Sequence, residues 1–295
     1  MARTPHGHGK ALAILAQTQL FFHSRPPGPW VLPRRPSLAL ALALPWPPAR
    51  GAPYPFGPYP YGPHPWPAPM ALILRHLGVQ PYAPCLAAMQ RAVDLRPATA
   101  PDEIWLLQHP PVYTLGLAAR PGHLHEPLHG GGYPAIPVVR SDRGGQITYH
   151  GPGQWIAYCL IHLARRGFGV RSLVVALEEA AIRFLAGLGI AGSRRPGAPG
   201  VYVDGAKIAA LGLRVRRGWS YHGLALNVDL DLAPYRGIDP CGYPGLAVTR
   251  VCDLAGPVRP DWAGQLLAAL QAELRLDGEP VEYLDRLPGE EPTGH

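Results

Sequence analysis

The chain has 295 residues, with 27 basic and 20 acidic side chains and a formal net charge of +7. Six of the basic residues (Arg3, Lys10, Arg25, Arg34, Arg35 and Arg50) and no acid fall in residues 1–69, so residues 70–295 carry 21 basic against 20 acidic groups. A near-neutral body offers no electrostatic footprint for DNA or RNA, which excludes nucleic acid as a partner. Cys85, Cys159, Cys241 and Cys252 form no CxxC, which argues against a zinc knuckle, a thioredoxin-type site or a secreted disulfide scaffold.

In chain order, the first 69 residues stand apart. "GAPYPFGPYPYGPHPWPAP" has proline at nearly every second position and favours polyproline II over a packed core. Three origins compete for this leader: upstream sequence ahead of a working start at Met70, a disordered tail, or a transit peptide. "ALAILAQTQLFF" is interrupted by Gln17, Thr18 and Gln19, and "SLALALALPW" is too short to span a bilayer, so no membrane association and a cytoplasmic location are expected. Residues 70–285 are expected to form one domain, with a disordered tail over 286–295.

From Met70 the pattern predicts a helix near 80–95, then short strands at "IWLLQHP", "VYTLG", "IPVVR", "GQITYH" and "QWIAYCLIHL". A longer helix is predicted over 172–189, with Ser172 as N-cap, an apolar stripe through Leu173, Leu177, Ala180, Ala181 and Phe184, and Gly187 and Gly189 at its end. Asp204-Gly205 is the favoured pair for a two-residue hairpin turn, and Arg217-Gly218 marks a second. A last helix starts near Asp261. Mixed strands and helices with antiparallel hairpins make the fold class α+β.

Four places could carry chemistry. Lys207 shares a strand face with Ala209, Leu211, Leu213 and Val215, so it either snorkels at the strand end or is held desolvated with a lowered pKa. His222 alternates with Leu224, Leu226 and Val228, as a satisfied core histidine would. "RGGQITYHGPGQW" puts Gly144, Gly145, Gly151 and Gly153 close to Arg143, Thr148 and His150, where backbone could approach a ligand. It is neither a dinucleotide fingerprint nor a phosphate-cradling loop, and no cofactor or metal is expected. Cys241, between Pro240 and Gly242, suits an exposed nucleophile, for which a nearby ammonium would favour the thiolate. Cys85 and Cys159 sit in apolar segments, and Cys252 is the rival.

Three segments together, "RGGQITYHGPGQ", "GVYVDGAKIAALGLRV…YHGLALNVDLDL" and "PCGYPGLAVT", closely resemble signatures of the lipoyl(octanoyl) transferases. The resemblance runs from about Met70 to about Asp253 and includes "HPPVYTLG". The leader and the "GGG" at 130–132 have no counterpart in the pattern. It implies the fold of biotin and lipoate protein ligase catalytic domains, a mixed sheet flanked by helices. It also implies transfer of an octanoyl group from octanoyl-acyl carrier protein to a lysine of a lipoyl domain of a 2-oxoacid dehydrogenase or of the glycine cleavage H protein.

Position by position, the resemblance makes Cys241 the acyl-carrying nucleophile and Lys207 the residue that lowers its pKa. Arg143, Gly144, Gly145, Gln146, Ile147, Thr148, Tyr149 and His150 become a substrate-binding stretch. Ala210, Leu211 and Gly212, with Gly223, Leu224 and Ala225, become the remaining wall, and His222 a supporting residue. Exchange of one thioester for another needs neither ATP nor metal. Backbone N–H groups near Cys241 could form an oxyanion hole, and the sequence does not specify which. Two alternatives remain: an ATP-dependent lipoate or biotin protein ligase, against which stands the missing GRGRxGRxW, and a non-catalytic carrier-protein-binding module, against which stand Cys241 and Lys207 together.

Overall fold

The computed structural model of the chain describes residues 71–125 and 135–290. The expected leader over 1–69 lies outside the described residues. Strands β1 (Leu72–Val79), β2 (Glu103–Gln108) and β3 (Val112–Leu115) enclose helix α1 (Tyr82–Leu95). They are followed by β4 (Val138–Arg140), β5 (Ile147–His150) and β6 (Gln154–Leu160), the short α2 (Leu163–Arg166) and the long α3 (Val170–Gly187). Then come β7 (Ser193–Arg194), β8 (Val201–Val203), β9 (Ala206–Arg216), β10 (Trp219–Asn227), α4 (Val251–Ala255), α5 (Trp262–Glu273) and β11 (Val281–Leu284).

The strands form two mixed sheets rather than one. The larger has eight strands in the order β11-β1-β2-β6-β10-β9-β8-β7, and the smaller has the order β4-β3-β5. β1 runs parallel to both β2 and β11, and the other pairs of the large sheet are antiparallel. Strand β6 shows why both faces of this sheet are covered. Trp155, Ala157 and Cys159 join the core beneath α3 and α5, while Ile156, Tyr158 and Leu160 join the core beneath α1. Every residue of β6 is buried, so its sequence is apolar without alternation.

Both expected hairpin turns form. Asp204 (φ 48°) and Gly205 (φ 80°) join β8 to β9, and Arg217 (φ 52°) and Gly218 (φ 83°) join β9 to β10, with both central residues left-handed as a type I′ turn requires. The N-terminus of α3 differs from expectation. Gly169 is the cap residue, and Ser172, at the third helical position, bonds back to both the N–H and the carbonyl of Gly169. The C-terminal boundary also moves. Leu287 is buried and Arg75 Nη1 donates to Arg286 O, so residues 286–290 pack on the domain instead of forming a tail, and 291–295 lie outside the described residues. Among the described residues no helix is long and apolar enough to cross a membrane.

Two buried polar clusters tie distant segments together. Asp102 is fully buried and accepts from Arg165 Nη2 (2.7 Å), Arg166 Nε (2.6 Å) and the backbone N–H of His162 (2.8 Å). His109 donates from Nδ1 to Gln80 O (2.6 Å), which leaves Nε2 to accept from Tyr158 O–H (2.6 Å). Burial lowers the His109 pKa to about 4, against partial opposition from the Gln80 bond.

Asp102→Asn should destabilise the fold by roughly 3 kcal/mol, because it removes the buried negative charge that two guanidinium groups share, and denaturant unfolding will measure it. Because the folded pKa of His109 lies below its unfolded value, the unfolded chain binds more protons between pH 6.5 and 4. Stability should therefore fall as pH drops through that window. His109→Asn should remove about one of the protons taken up on unfolding near pH 5.5, read by calorimetry in buffers of different ionisation enthalpy.

Candidate active site

The turn at Asp204-Gly205 delivers Lys207 onto β9 with only 3% of its surface exposed, so it does not snorkel. Its backbone is already committed. Lys207 N donates to Ala247 O (2.8 Å) and Thr249 N donates to Lys207 O (3.0 Å), which clamps the segment after Cys241 alongside β9. On the other side, Asp239 N donates to His123 O (2.9 Å) and Gly242 N to Asp239 O (2.8 Å), forming the turn that carries the sulfur. The result is a contact: Lys207 Nζ donates to Cys241 Sγ at 2.9 Å and to Pro199 O at 2.9 Å. The ammonium also lies 5.1 Å from the centre of the Tyr202 ring.

The pKa of Lys207 shifts opposite to the direction expected for a desolvated lysine. Burial pulls it down, but the Cys241 sulfur and Tyr202 outweigh burial and hold it above its ordinary value. A buried amine beside a group that can become an anion keeps its proton, because the pair is favoured over either charge alone.

Local backbone at the site is strained and tightly spaced. Cys241 is left-handed (φ 57°, ψ 19°) and half-buried, a conformation that costs a non-glycine residue energy and occurs where surrounding structure enforces it. At Gly200 (φ 139°) a Cβ would fall 2.7 Å from Ala209 O and 2.9 Å from Lys207 Cε, and at Gly242 (φ 76°) it would fall 2.2 Å from Gln146 Oε1. At Gly200 the backbone carbonyl of Ala209 leaves room for glycine alone, while at Gly242 it is the positive φ that favours glycine.

A cavity of 430 Å³ opens beside the sulfur, where the edge of the small sheet meets β9 and β10. Of the residues expected to bind substrate, Arg143, Gly144, Gly145, Gln146, Ile147, Thr148 and His150 line it from one side. Ala210, Leu211, Gly212, Gly223, Leu224 and Ala225 line it from the other, with His222 and Cys241. Tyr149 is the exception. The strand alternates, and Tyr149 turns away to pack against Tyr113 and Tyr235 in the core of the small sheet.

A directed hydrogen-bond chain runs along one wall. Arg143 Nε and Nη2 donate to Thr114 Oγ1, whose hydroxyl donates to His150 Nε2 (3.3 Å), and His150 Nδ1 donates to Gln154 Oε1 (2.7 Å). Burial above all, then His109 and Arg143, pushes the His150 pKa well below its ordinary value, so this ring is neutral at pH 7. Arg143 has no carboxylate partner among the described residues, and burial lowers its pKa against the opposing influence of Tyr82 and Cys241.

His222 sits in mid-strand with φ 60° and donates to Asp142 Oδ1 (2.8 Å). Burial acts to raise the Asp142 pKa, but bonds from His222, Tyr221 and Gln90 outweigh it and hold the carboxyl well below its usual range.

Sequence reasoning missed Asp142, Tyr82, Tyr158, Pro199 and Tyr243, which act through contacts between distant segments. One available signal went unused: the chain has only two lysines, Lys10 and Lys207, in a sequence that otherwise uses arginine. Among the other cysteines, burial raises the pKa of Cys85 and Cys159 to about 12, and it raises that of Cys252 as well. None of the three lines the cavity. No group of three or more metal-ligating side chains occurs among the described residues.

Residues 81–269 match the family described as the lipoyl protein ligase A/B catalytic domain. The chain is 52% identical over 216 residues to an octanoyltransferase of Pseudomonas putida strain W619, covering 73% of this chain and 94% of the relative. It is 57% identical over 204 residues to an octanoyltransferase of Aromatoleum aromaticum, covering 68% and 85%. In fold it is similar to lipoate-protein ligase A bound with ATP (TM-score 0.56, 14% identity, covering 74% of this chain and 89% of that one). It is also similar to a bi-partite lipoate protein ligase from Thermoplasma acidophilum (TM-score 0.55, 16% identity, covering 74% and 87%). At these identities the structural likeness speaks for the fold alone. The sequence relatives carry the assignment: the chain belongs to the octanoyltransferases, acyltransferases of lipoate biosynthesis within the lipoyl protein ligase A/B catalytic-domain family.

Proposed function

We propose that the chain carries the octanoyl group on Cys241 as a thioester, taking it from octanoyl-acyl carrier protein and passing it to a lysine of a lipoyl domain. One observation carries this reading: the 2.9 Å contact between the buried Lys207 amine and the Cys241 sulfur at the wall of the cavity. The charge of an ammonium at that distance favours the thiolate, the form in which cysteine attacks an acyl carbon.

In the first half-reaction Sγ attacks the donor thioester, and the departing thiol takes its proton from Lys207. In the second, the acceptor amine attacks the Cys241 thioester and Lys207 receives the proton it releases, which restores the starting pair. The wall of Leu211, Leu224, Ala225 and Ile156 suits an alkyl chain, and the glycines at 144, 145 and 212 let backbone approach it. Arg143, Thr148 and His150 hold the glycine-rich stretch in place, and His222, anchored by Asp142, supports the opposite wall. The catalytic domain is assigned to residues 70–290, with the acyl group on its own sulfur and no nucleotide in the cycle.

Intact-mass analysis after incubation with octanoyl-acyl carrier protein should show one added octanoyl group, mapped to the peptide containing Cys241. Cys241→Ala should lose both the adduct and transfer to a lipoyl domain, and near-normal turnover in that variant would end the mechanism. Lys207→Met should lower acyl-enzyme formation at pH 7 by about tenfold or more. The remaining rate should climb with pH through the free-thiol range near 8.5. A pH profile unchanged from the wild type would show that another group activates the sulfur.

A further inference from the structure

Attack on a thioester moves an electron pair onto the acyl oxygen, and a donor aimed at that oxygen is the largest single aid an active site can supply. The two backbone N–H groups that follow the nucleophile are already engaged. Gly242 N donates to Asp239 O (2.8 Å) and Tyr243 N to Pro240 O (3.2 Å), which commits these two donors to the turn. Lys207 Nζ is held by the sulfur and by Pro199 O, and the Arg143 guanidinium is turned to Thr114 and the carbonyl of Gly144.

The side chain of Gln146 is uncommitted. Neither end of its carboxamide is hydrogen bonded to a described residue, and Oε1 is buried without a partner. The amide lies flat against the residue after the nucleophile: a Cβ on Gly242 would fall 2.2 Å from Oε1, 2.4 Å from Cδ and 2.5 Å from Nε2. Gln146 and Cys241 line the same cavity. Buried polar atoms in folded proteins are almost always paired, so an amide whose oxygen is buried without a partner, set against the nucleophile turn in the cavity wall, is poised for a ligand group. Nε2, which also has no partner, is not one of the buried atoms, so the accessible end of the amide is already the donor.

We infer that Gln146 is a catalytic residue that donates Nε2–H to the acyl oxygen in both half-reactions, a role that rests on the transferase mechanism above. As Sγ bonds the carbonyl carbon, the C=O π pair moves onto oxygen and is held by the Gln146 N–H. When that pair returns, the C–S bond to the donor breaks, and the leaving thiolate takes the Lys207 proton. In the second half-reaction the acceptor nitrogen forms the new bond and the same oxygen again carries the charge. Collapse then breaks the C–Sγ bond, and the acceptor's proton passes to Lys207.

The test uses the full chain charged with octanoyl-pantetheine isotope-labelled at the carbonyl, with infrared spectra of the acyl-enzyme. The thioester carbonyl stretch in the folded wild type should lie below that of the same acyl-enzyme after denaturation. Gln146→Met should lose that downshift and lower the rate of acyl-enzyme formation by about 10²–10³-fold, with little change in KM and no movement of the pH inflections. Gln146→Glu, which faces the developing charge with a carboxylate, should fall at least as far. A folded wild-type band equal to the denatured one overturns the assignment without any variant. So does a downshift retained in Gln146→Met, or a rate loss that comes with a moved pH inflection. A wild type that takes up no acyl group overturns the transferase mechanism and this role with it.

Discussion

An ammonium group taken out of water is costly unless something nearby offsets its charge. In this protein the offset is a sulfur at 2.9 Å, helped by one carbonyl and one aromatic ring. Most of the local architecture follows from keeping those atoms together. The β8–β9 turn delivers the lysine, its own backbone clamps the segment at 247–249, and Gly200 leaves space where any side chain would strike the amine. The pair is also self-consistent: the group that the lysine would ionise is the same group that keeps the lysine protonated.

Rigidity elsewhere holds this arrangement under strain. Cys241 and His222 both occupy left-handed backbone, one in a tight turn and one in the middle of a buried strand. Such conformations persist where neighbouring structure over-determines them. Here the neighbours are a sheet covered on both faces and a carboxylate, Asp142, that fixes His222 from the side. Burial lowers the pKa of His150 and His222, which line the cavity, and so disfavours added positive charge on its wall.

The likeness to lipoate ligases shows how little a shared fold says about chemistry. At 14–16% identity the architecture persists over about three quarters of the chain, while the residues that decide a reaction occupy a few loops and strand ends. In the proposed mechanism those are the glycine-rich stretch running into β5, the start of β9 and the turn at Pro240–Gly242. The match to the lipoyl protein ligase A/B catalytic domain, over residues 81–269, spans all three.

Local signals were legible from sequence wherever chemistry is local. Asp204-Gly205 and Arg217-Gly218 specify their turns through neighbouring torsions, and the stripe from Leu173 to Phe184 specifies a helix through its period. The residues at 143–150, 207 and 241 each have an ordinary structural reading taken singly, and it is their joint resemblance to the octanoyltransferase signatures that marks them as a site. Tertiary structure alone settled what depends on segments far apart in the chain. β11 joins β1 by parallel pairing across some two hundred residues, and no local pattern encodes that partner. Likewise Tyr149 points away from its neighbours Thr148 and His150, the lysine pKa rises instead of falling, and the N–H groups of Gly242 and Tyr243 are engaged within their own turn. Sequence specifies torsions and residue chemistry, while distances and the fields they create exist only once the chain has closed on itself.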